Sequence, residues 1–165
     1  MLGSRFLRRP FLTILALLSP LLAQAPPDGK LIVGGQTIKL TQVYAYAAAD
    51  FFDKTKDDTV VLLTDRPVAA AQLRDAFGLS HMAEEGKLSF VQATINPAGQ
   101  VINFMVGNRA FKMTPSGGST EQRFEGKREG ATISGKVFTR GPQDFFGGPK
   151  YEYSATFKVT VLPKK

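Results

Sequence analysis

The chain has 165 residues, no cysteine, a single histidine and a formal charge of +7. The lack of cysteine excludes disulfides, thiolate metal sites, a cysteine nucleophile and the N-terminal lipid attachment of bacterial lipoproteins. Lys and Arg are scattered singly or in pairs, which gives no basic stripe for a nucleic acid backbone.

Residues 1–25 read as a signal peptide. Arg5, Arg8 and Arg9 form a basic start, and Phe11 to Ala23 is an apolar run interrupted only by Thr13, Ser19 and Pro20. Ala23-Gln24-Ala25 then has the small-x-small form of a cleavage site. The run falls short of the roughly 20 apolar residues that span a bilayer, so no stable membrane insertion is expected after cleavage. Arg8-Arg9-Pro10-Phe11-Leu12 resembles a twin-arginine signal, but Leu7 stands where Ser or Thr precedes the pair, which favours general secretion. The expected location is periplasmic or secreted. Removing Arg5, Arg8 and Arg9 would leave 18 basic residues against 14 acidic ones, an ordinary solubility charge of +4. Residues 26–29 form a linker, and residues 30–165 are expected to fold as a single β-rich domain held by its core alone.

Lys30 to Val33 is a short strand, and Gly34-Gly35 is a two-residue hairpin signal. Gln36 to Ala47 continues as a long strand with Ile38, Leu40, Tyr44 and Tyr46 on one face. Gln42 interrupts that face, so it is either buried and hydrogen-bonded or marks a bulge that turns Val43 and Ala45 inward. The polar segment from Ala48 to Asp58 is a loop carrying Phe51 and Phe52. Thr59 to Thr64, TVVLLT, suits a central strand covered on both faces. Its cover is predicted to be a helix over 67–77, with Pro67 in the first turn, a stripe of Ala69, Leu73, Ala76 and Phe77, and Gly78 just past the end.

Lys87 to Asn96 returns to strand, with a bulge expected near Phe90-Val91. After the turn at Pro97 to Gln100, Val101 to Met113 is its antiparallel partner. Glu121 to Arg128 is a weak polar strand suited to a sheet edge, and Ala131 to Arg140 is a stronger one. In the last segment, Lys150 to Leu162, Tyr151, Tyr153, Ala155, Phe157, Val159 and Val161 alternate with polar residues. This is a strand with one dry face and a strongly specified register. The sum is a mainly β domain of seven or eight strands and one short α-helix, an antiparallel barrel or a two-layer sandwich.

Catalytic signals are weak. His81 has no nucleophile-elbow motif to serve. Asp50, Asp53, Asp57 and Asp58 lack the spacing of a calcium loop, and Lys54 and Lys56 offset their charge; no metal or cofactor is expected. The unusual feature is the pair of loops Asp50-Phe51-Phe52-Asp53 and Asp144-Phe145-Phe146-Gly147, since exposed aromatics are generally avoided unless they plug a core or meet a partner. Phe51, Phe52, Phe145 and Phe146 are therefore candidate binding residues, with Tyr44, Tyr46, Tyr151 and Tyr153 offering hydroxyls deeper in. The expectation is a non-catalytic binding module of the bacterial envelope that takes a small apolar ligand or an envelope protein. The alternatives are a small hydrolase using Asp and Tyr residues, and a structural component that adds a strand along the edge at Glu121 to Arg128.

Overall fold

The computed structural model describes residues 25–50 and 53–164. The expected signal peptide lies outside the described residues, except for Ala25, and so do Phe51 and Phe52. In chain order the elements are β1 (Asp28–Val33), β2 (Gln36–Leu40), β3 (Gln42–Ala49), β4 (Asp57–Thr64), α1 (Ala76–Glu84), β5 (Phe90–Ile95), β6 (Val101–Gly107), β7 (Ser116–Gly117), β8 (Gln122–Glu129), β9 (Thr132–Thr139) and β10 (Tyr151–Leu162). The fold is mainly β with one short helix, its strands joined in one curled sheet, a half-barrel.

Ten strands replace the seven or eight expected, for two physical reasons. One is the small β7. The other is a break at Thr41, where the long strand expected over 36–47 stops pairing with β1 and starts pairing with β4. There the Thr41 amide donates to the Thr64 carbonyl at 2.8 Å and its hydroxyl to the Asp65 carbonyl at 2.9 Å. This break carries the face swap signalled by Gln42. Leu40 faces the core before it; Val43, Ala45 and Ala47 face the core after it, and Tyr44 and Tyr46 turn to the other side.

The hub is β10. Its first half pairs with β1, residues Ser154 to Thr160 pair with β9 along the other edge, and Val161 and Leu162 meet β3 in a short parallel contact. One strand thus joins the first hairpin, the β8–β9 hairpin and the β3–β4–β5–β6 meander. Its six apolar residues from Tyr151 to Val161 are all buried on the inner face, as the alternation requires.

The outer face of β4 and β5 is also covered. Leu62 and Phe90 pack there with Leu88, Val68, Leu73, Leu79 and Ala83, while Val61, Leu63, Val91, Ala93 and Ile95 point inward. This alternation needs no bulge at Phe90-Val91. The register instead shifts between Thr94 and Ile95, where Thr94 opposes Asn103 and Ile95 opposes Val101, so Ile102 is the unpaired residue.

The covering helix starts where the predicted one, over 67–77, was to end. Residues 69–75 form two successive turns, with Gln72 N–H to Ala69 O and Asp75 N–H to Gln72 O. Long-range bonds fix this path: the Val68 amide donates to the Tyr44 hydroxyl, and Arg74 donates to Ala47 O and Pro163 O while its guanidinium lies 4.5 Å from the centre of the Tyr46 ring. These tertiary contacts override the helix propensity of the alanines. The stripe that is buried is Leu79 and Ala83, one turn apart; Ala69, Ala76 and Phe77 are exposed. Asp75 caps the helix by accepting from Gly78 N–H at 2.9 Å, and the residue past its end is Gly86, at φ 72°, a left-handed value that glycine adopts without a Cβ penalty. Asp75→Ala is expected to lower stability by about 1 kcal/mol, read as a shift in urea midpoint at unchanged m-value. No shift would mean that the capping bond contributes nothing net.

Candidate functional site

The apolar cleft that carries the strongest sequence signal lies between two loops at the ends of β6 and β9. One wall is Ala110 to Met113 and the other is Phe145 to Pro149, around a volume of ≈ 490 Å³. Phe111 forms the floor: it is buried and meets the Tyr151 ring edge-on at 5.8 Å between centroids. Its loop is set by Asn108, which accepts from the Ala110 amide through Oδ1 and donates from Nδ2 to the Ser89 hydroxyl at 3.0 Å. Met113, on the same wall, is 56 % exposed.

The facing loop is pinned at its base by reciprocal backbone bonds between Gln143 and Tyr151, 2.7 and 3.0 Å long. Asp144 then accepts from Gly147 N–H at 3.2 Å, and the Gly148 amide closes onto Phe145 O at 3.0 Å. The tight turn divides the labour between its two phenylalanines. Phe145 packs partly against the inner core, whereas Phe146 stands 86 % exposed, edge-on to it at 4.7 Å. Phe146 sits at φ 48°, the sole non-glycine residue with positive φ among those described. That left-handed conformation is unfavourable for a bulky side chain, so the chain is strained to hold this ring outward.

The six candidate residues that are described do not form one site. Phe145 and Phe146 line the cleft, and buried Tyr151 lies beneath it against Phe111. Tyr153 is buried on the same inner face and donates its hydroxyl to Gln122 Oε1 at 2.6 Å. Burial pushes the Tyr153 phenol far above its usual value and Tyr151 up to about 12, in the latter case against a smaller opposing pull from the Gln122 amide. Tyr44 and Tyr46 face the opposite, helix-covered side, where Tyr44 packs with the outer cluster and Tyr46 lies under Arg74. Burial raises the Tyr46 pKa, with the nearby Arg74 charge opposing it.

The acidic loop is tied up within itself. Asp50 Oδ1 accepts from the Asp53 amide at 2.7 Å, and Asp53 pairs with Lys56 at 3.0 Å. Hydrogen bonds from Thr55 and Lys56 hold the Asp53 carboxyl down to about 2. Asp58 is buried and its pKa is raised, first by desolvation and then by the charges of Asp50 and Asp57. Among the described residues no group of three His, Cys, Asp or Glu side chains could hold a metal ion. His81 is exposed on α1.

Lys112 is the one ionisable side chain lining the aromatic cleft. Such a lining can bury an apolar group and offer one positive charge at the rim, but it holds no acid–base pair. Sequence reasoning missed Phe111, Lys112 and Met113 by extending a strand through them. The signal was Gly107-Asn108, which ends β6 and leaves Phe111 and Met113 as loop residues like Phe145 and Phe146. No protein-family model matches this chain, and comparison with curated proteins and with solved structures likewise finds no match.

Proposed function

We propose that the protein is an exported, non-catalytic interaction module that docks a protein partner of the bacterial envelope on the rim formed by Phe146, Phe145 and Met113. The observation that carries this reading is the exposure of Phe146 in a left-handed backbone conformation. Strain of this kind is retained where the surrounding structure over-determines it, and it clusters at binding and switch sites. A large exposed aromatic beside a methionine is also the composition of an interface anchor. The lack of a second ionisable group in the cleft supports binding over hydrolysis.

A small apolar ligand is the second reading, favoured by the cleft volume of ≈ 490 Å³, which falls in the ordinary range for ligand pockets. A protein partner is preferred because Phe146 and Met113 project into solvent, whereas the half-barrel interior is filled by side chains such as Phe104, Tyr151 and Phe157.

Photo-cross-linking in the producing cell separates the two. With p-benzoylphenylalanine in place of Phe146, a discrete protein adduct is expected, and it should be lost on Met113→Asp; the same probe at exposed Lys39 should give none. Phe146→Ala should weaken capture of that adduct's partner by roughly 30-fold or more, the effect of an interface anchor, with Tm unchanged. If no protein adduct forms and native mass spectrometry finds a bound small molecule, the ligand reading replaces it.

A further inference from the structure

The half-barrel leaves two strand edges facing one another across an unpaired seam. β6 pairs with β5 and, through Phe104 and Met105, with β7; β8 pairs with β9 alone. Among the described residues no backbone hydrogen bond joins β6 to β8. Two clefts of ≈ 510 and ≈ 550 Å³ run along the seam and meet at Gly99 and Phe124. They share no lining residue with the aromatic rim. Ile102, the residue bulged out of the β5–β6 register, lines the seam and is 39 % exposed.

One buried hydrogen-bond donor lining this seam lacks an acceptor. Gln122, 2 % exposed, is engaged inside the half-barrel, its Oε1 accepting from Tyr153 and its amide bearing on the Tyr151 hydroxyl. The Nε of the adjacent Arg123 is buried and has no hydrogen-bond partner. Buried donors are nearly always paired in folded proteins, so this one points to an acceptor supplied from outside. The neighbouring charges are already occupied: Lys127 pairs with Glu129, Asp57 with Lys164, and Arg128 donates to the Thr59 hydroxyl. Arg123 and Arg128 are the seam cations without an ion-pair partner among the described residues, and Arg128 is held by its hydrogen bonds to the Thr59 hydroxyl and Gly130 O.

We propose that this seam is a strand-addition site for an extended acidic segment of another protein. The segment lies along the free edge of β8, where main-chain hydrogen bonds give affinity and side-chain pockets give specificity. A carboxylate of the segment accepts from Arg123, a geometry for which a guanidinium fork is suited. Phe124, Val101 and Ile102 supply the apolar contacts for the alternate side chains.

The test is a positional-scanning library of N-acetylated decapeptides bound to the purified chain. Asp or Glu should be enriched at one position, and a peptide built from the preferred residues should bind at least tenfold more weakly to Arg123→Ala and unchanged to Phe146→Ala. Methylating alternate backbone nitrogens on its pairing edge should abolish binding, and amide exchange in β8 should slow when the unmethylated peptide is bound. Absence of acidic enrichment overturns the proposal, as does equal binding of the methylated peptide, which would mean simple anion capture. Loss of binding on Phe146→Ala would assign the peptide to the rim and also overturn it.

Discussion

Phe90→Ala should lower stability by about 3–5 kcal/mol, the range for truncating a fully buried phenylalanine. Phe90 is 0 % exposed at the start of β5, and it joins the outer cluster that ties Leu62 of β4 to Leu79 and Ala83 of α1. Its ring also fills the space over Gly107, its direct cross-strand partner in β6. A Cβ at Gly107 would fall inside that ring, so Gly107→Ala alone should cost about 1–3 kcal/mol by overpacking. The two changes are then expected to couple. In the Phe90→Ala background the added methyl enters a cavity and should be tolerated or mildly stabilising, giving an interaction energy of the sign opposite to additivity. Urea unfolding of the two single variants and the double variant measures this; strictly additive costs would mean that the sheet has shifted to accommodate the ring elsewhere.

The Phe90–Gly107 pair illustrates what was legible in this sequence and what was not. Period-2 alternation identified the inner face of β10 residue by residue, because a half-buried strand allows only one register in which Tyr151 through Val161 stay dry. The run Thr59 to Thr64 announced a strand covered on both faces, and the two clusters on either side of Leu62 and Leu63 are that cover. What alternation cannot encode is where a strand changes partner. Thr41 breaks the run over 36–47 through bonds to Thr64 and Asp65, residues 23 and 24 positions away.

The helix was misplaced for a related reason. Ala69 to Ala71 favour a helix locally, but Val68 and Arg74 are held by Tyr44, Ala47 and Pro163, contacts that no local window contains. Asp75 and Gly86 were the better boundary signals, an N-cap and a left-handed terminator enclosing Leu79 and Ala83. In the candidate site, the exposed half of the Phe145-Phe146 pair could be anticipated from its Asp and Gly neighbours. The opposite wall carried a fainter signal: Gly107-Asn108 ends β6, and Phe111 and Met113 fall off the even-numbered period of Ile102, Phe104 and Val106.

Between about pH 10 and 12 the protein should lose stability steeply, and the buried tyrosines should be the cause. Tyr153 and Tyr151 are each 2 % exposed and Tyr46 is 7 % exposed, and burial raises the pKa of all three, Tyr151 to about 12. In the unfolded chain the same phenols ionise near their ordinary value of about 10. A folded pKa raised above the unfolded one contributes stability that is complete below pH 10 and is lost as pH rises through the folded value, because only the unfolded state has released its proton. Tyr151 and Tyr153 should therefore each remove about 1.4 kcal/mol per pH unit across that window, and Tyr46 acts in the same direction. Together they can remove much of the stability of a domain this size before pH 12. Tyr153→Phe should show opposite effects in the two regimes. At neutral pH it leaves Gln122 Oε1 without the 2.6 Å bond it accepts and should cost about 1–3 kcal/mol; above pH 10 its stability should fall less steeply by one proton's worth. Urea titrations at pH 7, 10, 11 and 11.5, read alongside tyrosinate absorbance at 295 nm, follow both. If all the tyrosines ionise near pH 10 while the sheet stays folded, the inner face of β10 is open to water and this account of its core is wrong.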